Sequence, residues 1–263
     1  MNFDQLLAQT ANDSSTALTF PSSWCQGRTA FGGVSAAMLL AAAQQKVSHE
    51  FRLLSMSTNF IGPLLADTSF KIEIEVLRQG KNSCQILARA IQHDQTCVMA
   101  QICFAKHRSS DLSVDNQEIC NLKPVNPSFV IPYHSGLSPE FFQHIDLSPQ
   151  QGAMPFTGAD TSHLGGWMKF KIAPNQFSVP HVLALTDAWP PTMLQMFKQA
   201  APASSMSWYI EFLTEPQLDC TQWLGFEAIT HHSSDGYAIE DAKIWSESGE
   251  LLALSRQTVA IFA

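Results

Sequence analysis

An α+β fold of two related halves, each a short apolar helix followed by an antiparallel meander, is the architecture this sequence predicts. The first observation behind it is an order of elements that repeats. GGVSAAMLLAAAQQ, opening at Gly32-Gly33, leads to Ser55-Met56-Ser57 and a run of alternating segments, while VPHVLALTDAWPPTMLQMF leads to Ser205-Met206-Ser207 and a similar run. The second is that those segments alternate apolar and polar residues, the period of a strand with one covered face. The third is that the helical stretches lack a polar stripe, so they must be enclosed nearly all round.

In the first half, only Ser35 interrupts the apolar run from Val34 to Ala43, and Ala36, Ala37, Ala41, Ala42 and Ala43 leave room for a sheet to approach closely. A curled antiparallel sheet around one central helix would cover it. Phe70, Ile72, Ile74 and Val76 then alternate with Lys71, Glu73 and Glu75, and SCQILARAIQH and TCVMAQICFAKH read as two more strands. Residues 1–110 are assigned to this half.

Pro124, Pro127, Pro132, Pro139 and Pro149 discourage regular structure over residues 111–150, which are assigned to a linker. SPEFFQHI is expected to add one short helix there. In the second half, 151–263, the strands are WLGFEAIT, YAIEDAKIWS and ELLALSRQTVAIF, separated by Ser234-Asp235-Gly236 and Glu247-Ser248-Gly249. Such Gly-containing polar triplets suit hairpins, because glycine reaches the positive φ a tight turn needs.

Composition excludes several functions. A formal net charge of −8 with no basic run argues against gripping a phosphate backbone, so no nucleic-acid partner is expected. Cys25, Cys84, Cys97, Cys103, Cys120 and Cys220 are scattered, without C-x-x-C spacing, and read as reduced thiols of a cytoplasmic protein. The opening MNFDQLLAQTANDSS carries an early acid and no basic segment, unlike a secretory signal. Phe31 to Ala43 is too short to span a bilayer. The histidines show no i, i+4 zinc pair, and His231-His232 fall in what reads as a turn, so no metal and no cofactor is expected. There is no G-x-S-x-G elbow, Walker loop or G-x-G-x-x-G.

A Gly-Gly helix start, a meander, a linker, then a unit with an acid in an apolar helix and a late L-x-A-x-x-x-Q strand together resemble the acyl-CoA thioesterase II (TesB-like) double-hotdog family. The resemblance spans nearly the whole chain. It implies a double hotdog, an acyl-CoA substrate and a homo-oligomer. It also implies a water held by an Asp, a Thr or Ser, and a Gln. Those fall on Asp187 in LALTDAW, Ser205 in SSMSWYIEFL and Gln257 in LLALSRQTV. A slip of one residue nominates Ser204 instead, and a slip of two nominates Ser207, which strict alternation would put on the same strand face as Ser205.

Hydrolysing a thioester needs an activated water and a place for negative charge on the carbonyl oxygen. A carboxylate accepts the water's proton, while a hydroxyl and an amide orient it. Backbone N–H groups at a helix N-terminus would meet the oxyanion; Gly32-Gly33 would allow close approach in the first half, and the helix of either half could supply the donors. Asp187, flanked by Leu183, Leu185 and Ala188, should be desolvated, which raises its pKa. The residues alone also allow Asp187 to be the N-cap of a helix beginning at Trp189-Pro190-Pro191, and Gln257 to be an outward polar residue. Trp189 is a candidate for substrate contact. Trp167, Met168, Phe170, Met193, Met196 and Phe197 could line an acyl channel or simply form core.

Two other functions fit the same fold. An enoyl-CoA hydratase would need a His a few residues from its Asp, and none follows Asp187 at that distance. A non-catalytic acyl-CoA binding protein would bind without turnover.

Overall fold

A computed structural model describes residues 1–11, 17–215 and 218–262. The chain begins with helix α1 (Phe3–Gln9), a small hairpin of β1 (Cys25–Gln26) and β2 (Thr29–Ala30), and helix α2 (Gly32–Gln44). Strands β3 (Phe51–Phe60), β4 (Lys71–Gln79), β5 (Ser83–Gln92) and β6 (Gln95–Lys106) complete the first half. The second half contains β7 (Ile145–Gln151), β8 (Leu164–Phe170), helix α3 (Val179–Thr186), and β9 (Ala203–Phe212), β10 (Leu224–Ser234), β11 (Tyr237–Trp245) and β12 (Leu251–Ile261).

All ten long strands join in one antiparallel sheet of order β4-β5-β6-β3-β9-β12-β11-β10-β8-β7. The two half-sheets meet where β3 pairs with β9, from Ser55 opposite Glu211 to Asn59 opposite Ser207. Edge-to-edge union removes one exposed strand edge from each half, a feature that side-chain periodicity does not report. The sheet curls around α2, whose residues from Gly33 to Ala43 are all buried. Met38, Leu39 and Leu40 are almost wholly enclosed, and each contributes on the order of 2 kcal/mol by leaving water.

The sequence-based boundaries need three corrections. Residues 145–150, assigned to the end of the linker, form β7 together with Gln151, because Ile145 and Leu147 turn into the core and Pro149 occupies an edge strand, where its missing N–H costs nothing. The second half therefore begins with the β7–β8 pair rather than with its helix. The long apolar stretch after Val179 is also not one helix: α3 stops at Thr186, Asp187 is its C-cap, and a 3-10 turn runs from Thr192 to Met196. Pro190 and Pro191 account for the break, since neither can donate the next helical hydrogen bond. Lastly, His231 and His232 lie within β10, with Asp235 and Gly236 forming the turn at φ 53° and 80°.

The expected short helix in SPEFFQHI is a 3-10 turn over Glu140–Gln143, and it ties the halves together. Phe141 stacks on Phe31, the residue before α2, with ring centroids 4.0 Å apart. His144 stacks on Trp24 at the same distance, and its burial pushes its pKa down to about 4. From the chain's start, Asp4 Oδ1 of α1 lies 2.9 Å from Nε2 of His181 in α3.

Candidate active site

The N-terminus of α2 and the C-terminus of α3 meet over the inner face of the sheet. Two glycines permit it. A Cβ on Gly33 would lie 2.5 Å from the Ala184 carbonyl oxygen, and one on Gly32 would lie 2.6 Å from Oδ2 of Asp187. Without side chains there, α2 packs directly on α3 and its first turn abuts the Asp187 carboxylate. No side chain caps that end of α2. The Gly33 N–H bonds the acid, and the positive end of the helix dipole faces it.

Asp187 is thus not the N-cap of a following helix. It closes α3 in a near-helical conformation, at φ −88° and ψ 3°. Its side chain accepts a 2.8 Å hydrogen bond from Gln257 Nε2, and Gln257 Oε1 accepts one of 3.0 Å from Ser205 Oγ. A carboxylate can only accept and a hydroxyl can donate, so the amide's orientation follows from its two neighbours. Gln257 faces inward on β12 and is 9% exposed, so it is not an outward polar residue.

Of the three candidate serines, Ser205 is the one that reaches Gln257. A register shift between Thr258 and Val259 leaves Met206 unpaired, so Ser205 stands opposite Val259 and Ser207 opposite Thr258. Those partners are neighbours on β12, pointing to opposite faces, so the bulge separates the two serines that strict alternation would unite. Ser204 is exposed.

Asp187 keeps some accessible surface, yet its carboxyl is enclosed by protein atoms. That desolvation pushes its pKa up to about 6, with the Gln257 amide and the Gly33 backbone N–H pulling the other way. A carboxyl near 6 is ionised at neutral pH and basic enough to take a proton from water.

Sequence reasoning missed a second carboxyl here. Glu240 pairs across the ladder with Gln257 and is 9% exposed. Its Oε2 accepts from the Thr192 backbone N–H at 2.8 Å and from Thr192 Oγ1 at 3.1 Å. Burial, with the charge of Asp187 behind it, pushes its pKa up to about 7. The signal was present in YAIEDAKIW, where alternation puts Glu240 on the same face as Ala238, Ala242 and Ile244.

The remaining candidates divide. Trp189 is buried, stacked on Phe226 at 5.7 Å, with its ring filling the space over Gly166 and its Nε1 without a partner. Trp167, Met168 and Phe170 are core. Met193, Met196 and Phe197 line a groove of about 370 Å³ with Thr230 and Ser233. Thr230 Oγ1 is 2.7 Å from Thr192 Oγ1, so the groove adjoins the Glu240 cluster. Among the described residues, no group of three His, Cys, Asp or Glu side chains is placed to hold a metal ion, and no helix is long and apolar enough to cross a membrane.

Residues 123–261 match the family model described as the acyl-CoA thioesterase C-terminal domain, and residues 20–105 match the corresponding N-terminal domain. The chain belongs to the acyl-CoA thioesterase family. Solved structures share the double hotdog of this thioesterase-family chain. A hot dog fold protein of unknown function from Alicyclobacillus acidocaldarius aligns with a TM-score of 0.85 at 22% identity, over 99% of this chain and 98% of its own. The tesB protein of Mycobacterium avium subs paratuberculosis aligns at 0.80 and 14% identity over 100% of both chains. The acyl-CoA thioesterase II TesB2 of Mycobacterium marinum aligns at 0.69 and 16% identity, over 89% of this chain and 90% of its own. At such identities the likeness is one of fold. No curated protein matches the sequence.

Proposed function

We propose that this protein hydrolyses acyl-CoA thioesters, with Asp187 as general base and Gln257 and Ser205 orienting the attacking water. The observation that carries the reading is the Ser205–Gln257–Asp187 hydrogen-bond chain, ending on a carboxyl of pKa about 6 at the start of α2. Asp187 takes a proton from water as the water oxygen bonds to the thioester carbon. The carbonyl electron pair moves onto oxygen, where the Gly32 N–H and the positive end of the α2 dipole stabilise it, the Gly33 N–H being engaged by Asp187. When that pair returns, the C–S bond breaks, and the departing thiolate receives the proton that Asp187 holds. Acid and free CoA thiol result.

The groove beside Met193, Met196 and Phe197 supports an apolar acyl group, since thioether and aromatic side chains adapt to varied chain shapes. Trp189, buried over Gly166 and stacked on Phe226, serves as packing rather than as an open substrate contact. A homo-oligomer is part of the same reading, supported by Tyr209, Ile229, Tyr237, Ile239 and Leu254, all well exposed on the second half of the sheet. A cytoplasmic setting is supported by six unpaired cysteines.

The test is thiol release from a panel of acyl-CoAs of graded chain length, followed with a thiol reagent. Release by the wild type that is lost in Asp187→Asn, with folding retained, supports hydrolysis. Hydration of an enoyl-CoA without thiol release, or binding without turnover, would overturn it.

A further inference from the structure

Glu240 is a buried carboxyl that the hydrolytic step above leaves without a task. It stands opposite Gln257 in the β11–β12 ladder and opposite Thr230 in the β10–β11 ladder. Its Oε2 receives both the N–H and the hydroxyl of Thr192, and that hydroxyl also meets Thr230. Thr192 opens the 3-10 turn directly after Pro190-Pro191, and the connection from Asp187 to Thr192 is the one that carries the catalytic carboxyl. Two facing residues on adjacent strands thus hold the two ends of that connection, Gln257 at Asp187 and Glu240 at Thr192.

We propose that Glu240 is a positioning residue of the thioesterase site: it anchors the Asp187–Thr192 turn through Thr192 and works in its neutral form, leaving Asp187 as the site's one negative charge. The proposal rests on the reading of Asp187 as general base. Anchoring follows from geometry, since among the described residues no other side chain is bonded to the Thr192 N–H, and a buried amide without a partner would be costly. Neutrality follows from what surrounds the group. Its strand neighbours Thr230 and Gln257 are uncharged, and the charged group acting on it is Asp187. His231, the next residue of β10, is paired instead with Asp241, at 3.0 Å. With carboxyls near 6 and 7 in one enclosed site, the first proton leaves to give a single charge and the second leaves against it. A second carboxylate would repel the negative charge that develops on the thioester oxygen.

The experiment measures the pH dependence of thiol release by wild type, Glu240→Gln and Glu240→Leu. The wild type is expected to gain kcat/KM through about pH 6 and lose it above about 7. In Glu240→Gln the amide oxygen still accepts from both Thr192 groups, so kcat at the optimum should fall only about two- to fivefold and the loss at high pH should vanish. Glu240→Leu frees the turn, and kcat should fall roughly tenfold or more at every pH with KM little changed. A Glu240→Gln enzyme that keeps the falling limb, or a Glu240→Leu enzyme with wild-type kcat, overturns the proposal. Carbon-13 NMR titration of the carboxyls separates this failure from that of the function itself. Even if no acyl-CoA is hydrolysed, Asp187→Asn must lower the Glu240 midpoint, and an unmoved midpoint refutes the pairing.

Discussion

Gln257 bonds Asp187 at 2.8 Å across 70 residues of chain, and the same amide is held at its other end by Ser205. One side chain therefore fixes the carboxylate and passes the constraint to a second strand. Gln257→Ala should leave the carboxyl free to turn and reduce kcat by roughly 100-fold, an effect expected for a preorganised donor at a reacting centre. Ser205→Ala removes the bond that orients the amide and one of the two groups that orient the water, but leaves the carboxylate held by Gln257, and should cost roughly tenfold, about 1.4 kcal/mol. Steady-state kinetics on one acyl-CoA checks both, and equal losses in the two variants would contradict this ordering.

The two glycines opening α2 should respond differently to a methyl group. In Gly32→Ala the new Cβ meets Oδ2 of Asp187 at 2.6 Å, so activity should fall far more than stability. In Gly33→Ala it meets the rigid Ala184 carbonyl at 2.5 Å, which pushes α2 from α3 and should cost about 1–3 kcal/mol. Melting temperature and kcat measured on both variants separate the two effects.

Much of this arrangement was readable in advance, for physical reasons. Strands such as β4 and β5 declared themselves because apolar and polar residues alternate along them, and α2 because Val34 to Ala43 has no polar side to offer water. What stayed hidden depends on events between distant segments. Joining of β3 to β9 is a backbone matter with no side-chain signature, and Ile145–Gln151 is short, carries Pro149, and becomes a strand only because β8 lies beside it. The bulge at Met206, which selects Ser205 over Ser207, has no mark in SSMSWYIEF. The family resemblance supplied Asp187 and Gln257. The position of Glu240 was implicit in its strand's alternation, but an inward acid gains meaning only when Thr192 arrives from another part of the chain.

Asp4 offers a test of how the N-terminal helix is held. Its Oδ1 faces His181 Nε2, and its Oδ2 accepts from both the backbone N–H and the side-chain amide of Asn175. Burial keeps the His181 pKa below its ordinary value even with Asp4 beside it. Asp4→Ala would strand a buried imidazole and two amide donors, and should cost about 1–3 kcal/mol. Chemical denaturation reads this, and because α1 joins the first half to α3, deleting residues 1–9 should lower stability by at least as much.

The buried acids also make stability depend on pH in an unusual direction. Asp187 and Glu240 have folded pKa values of about 6 and 7, above those of the unfolded chain. The folded state therefore holds these protons more tightly, so their contribution favours folding most at low pH. It declines as pH rises from about 4 to 7 and is level beyond that. For Glu240 the decline is on the order of 3 kcal/mol. Glutamine at that position keeps the Thr192 bonds without ever ionising, so Glu240→Gln should gain stability relative to the wild type across this window. Groups not coupled to Glu240 affect both proteins alike and cancel in the difference. Melting curves of the pair from pH 4 to 8 should diverge steadily in favour of Glu240→Gln and run parallel above about 7.5, whereas a constant gap would mean that Glu240 ionises as it would in water.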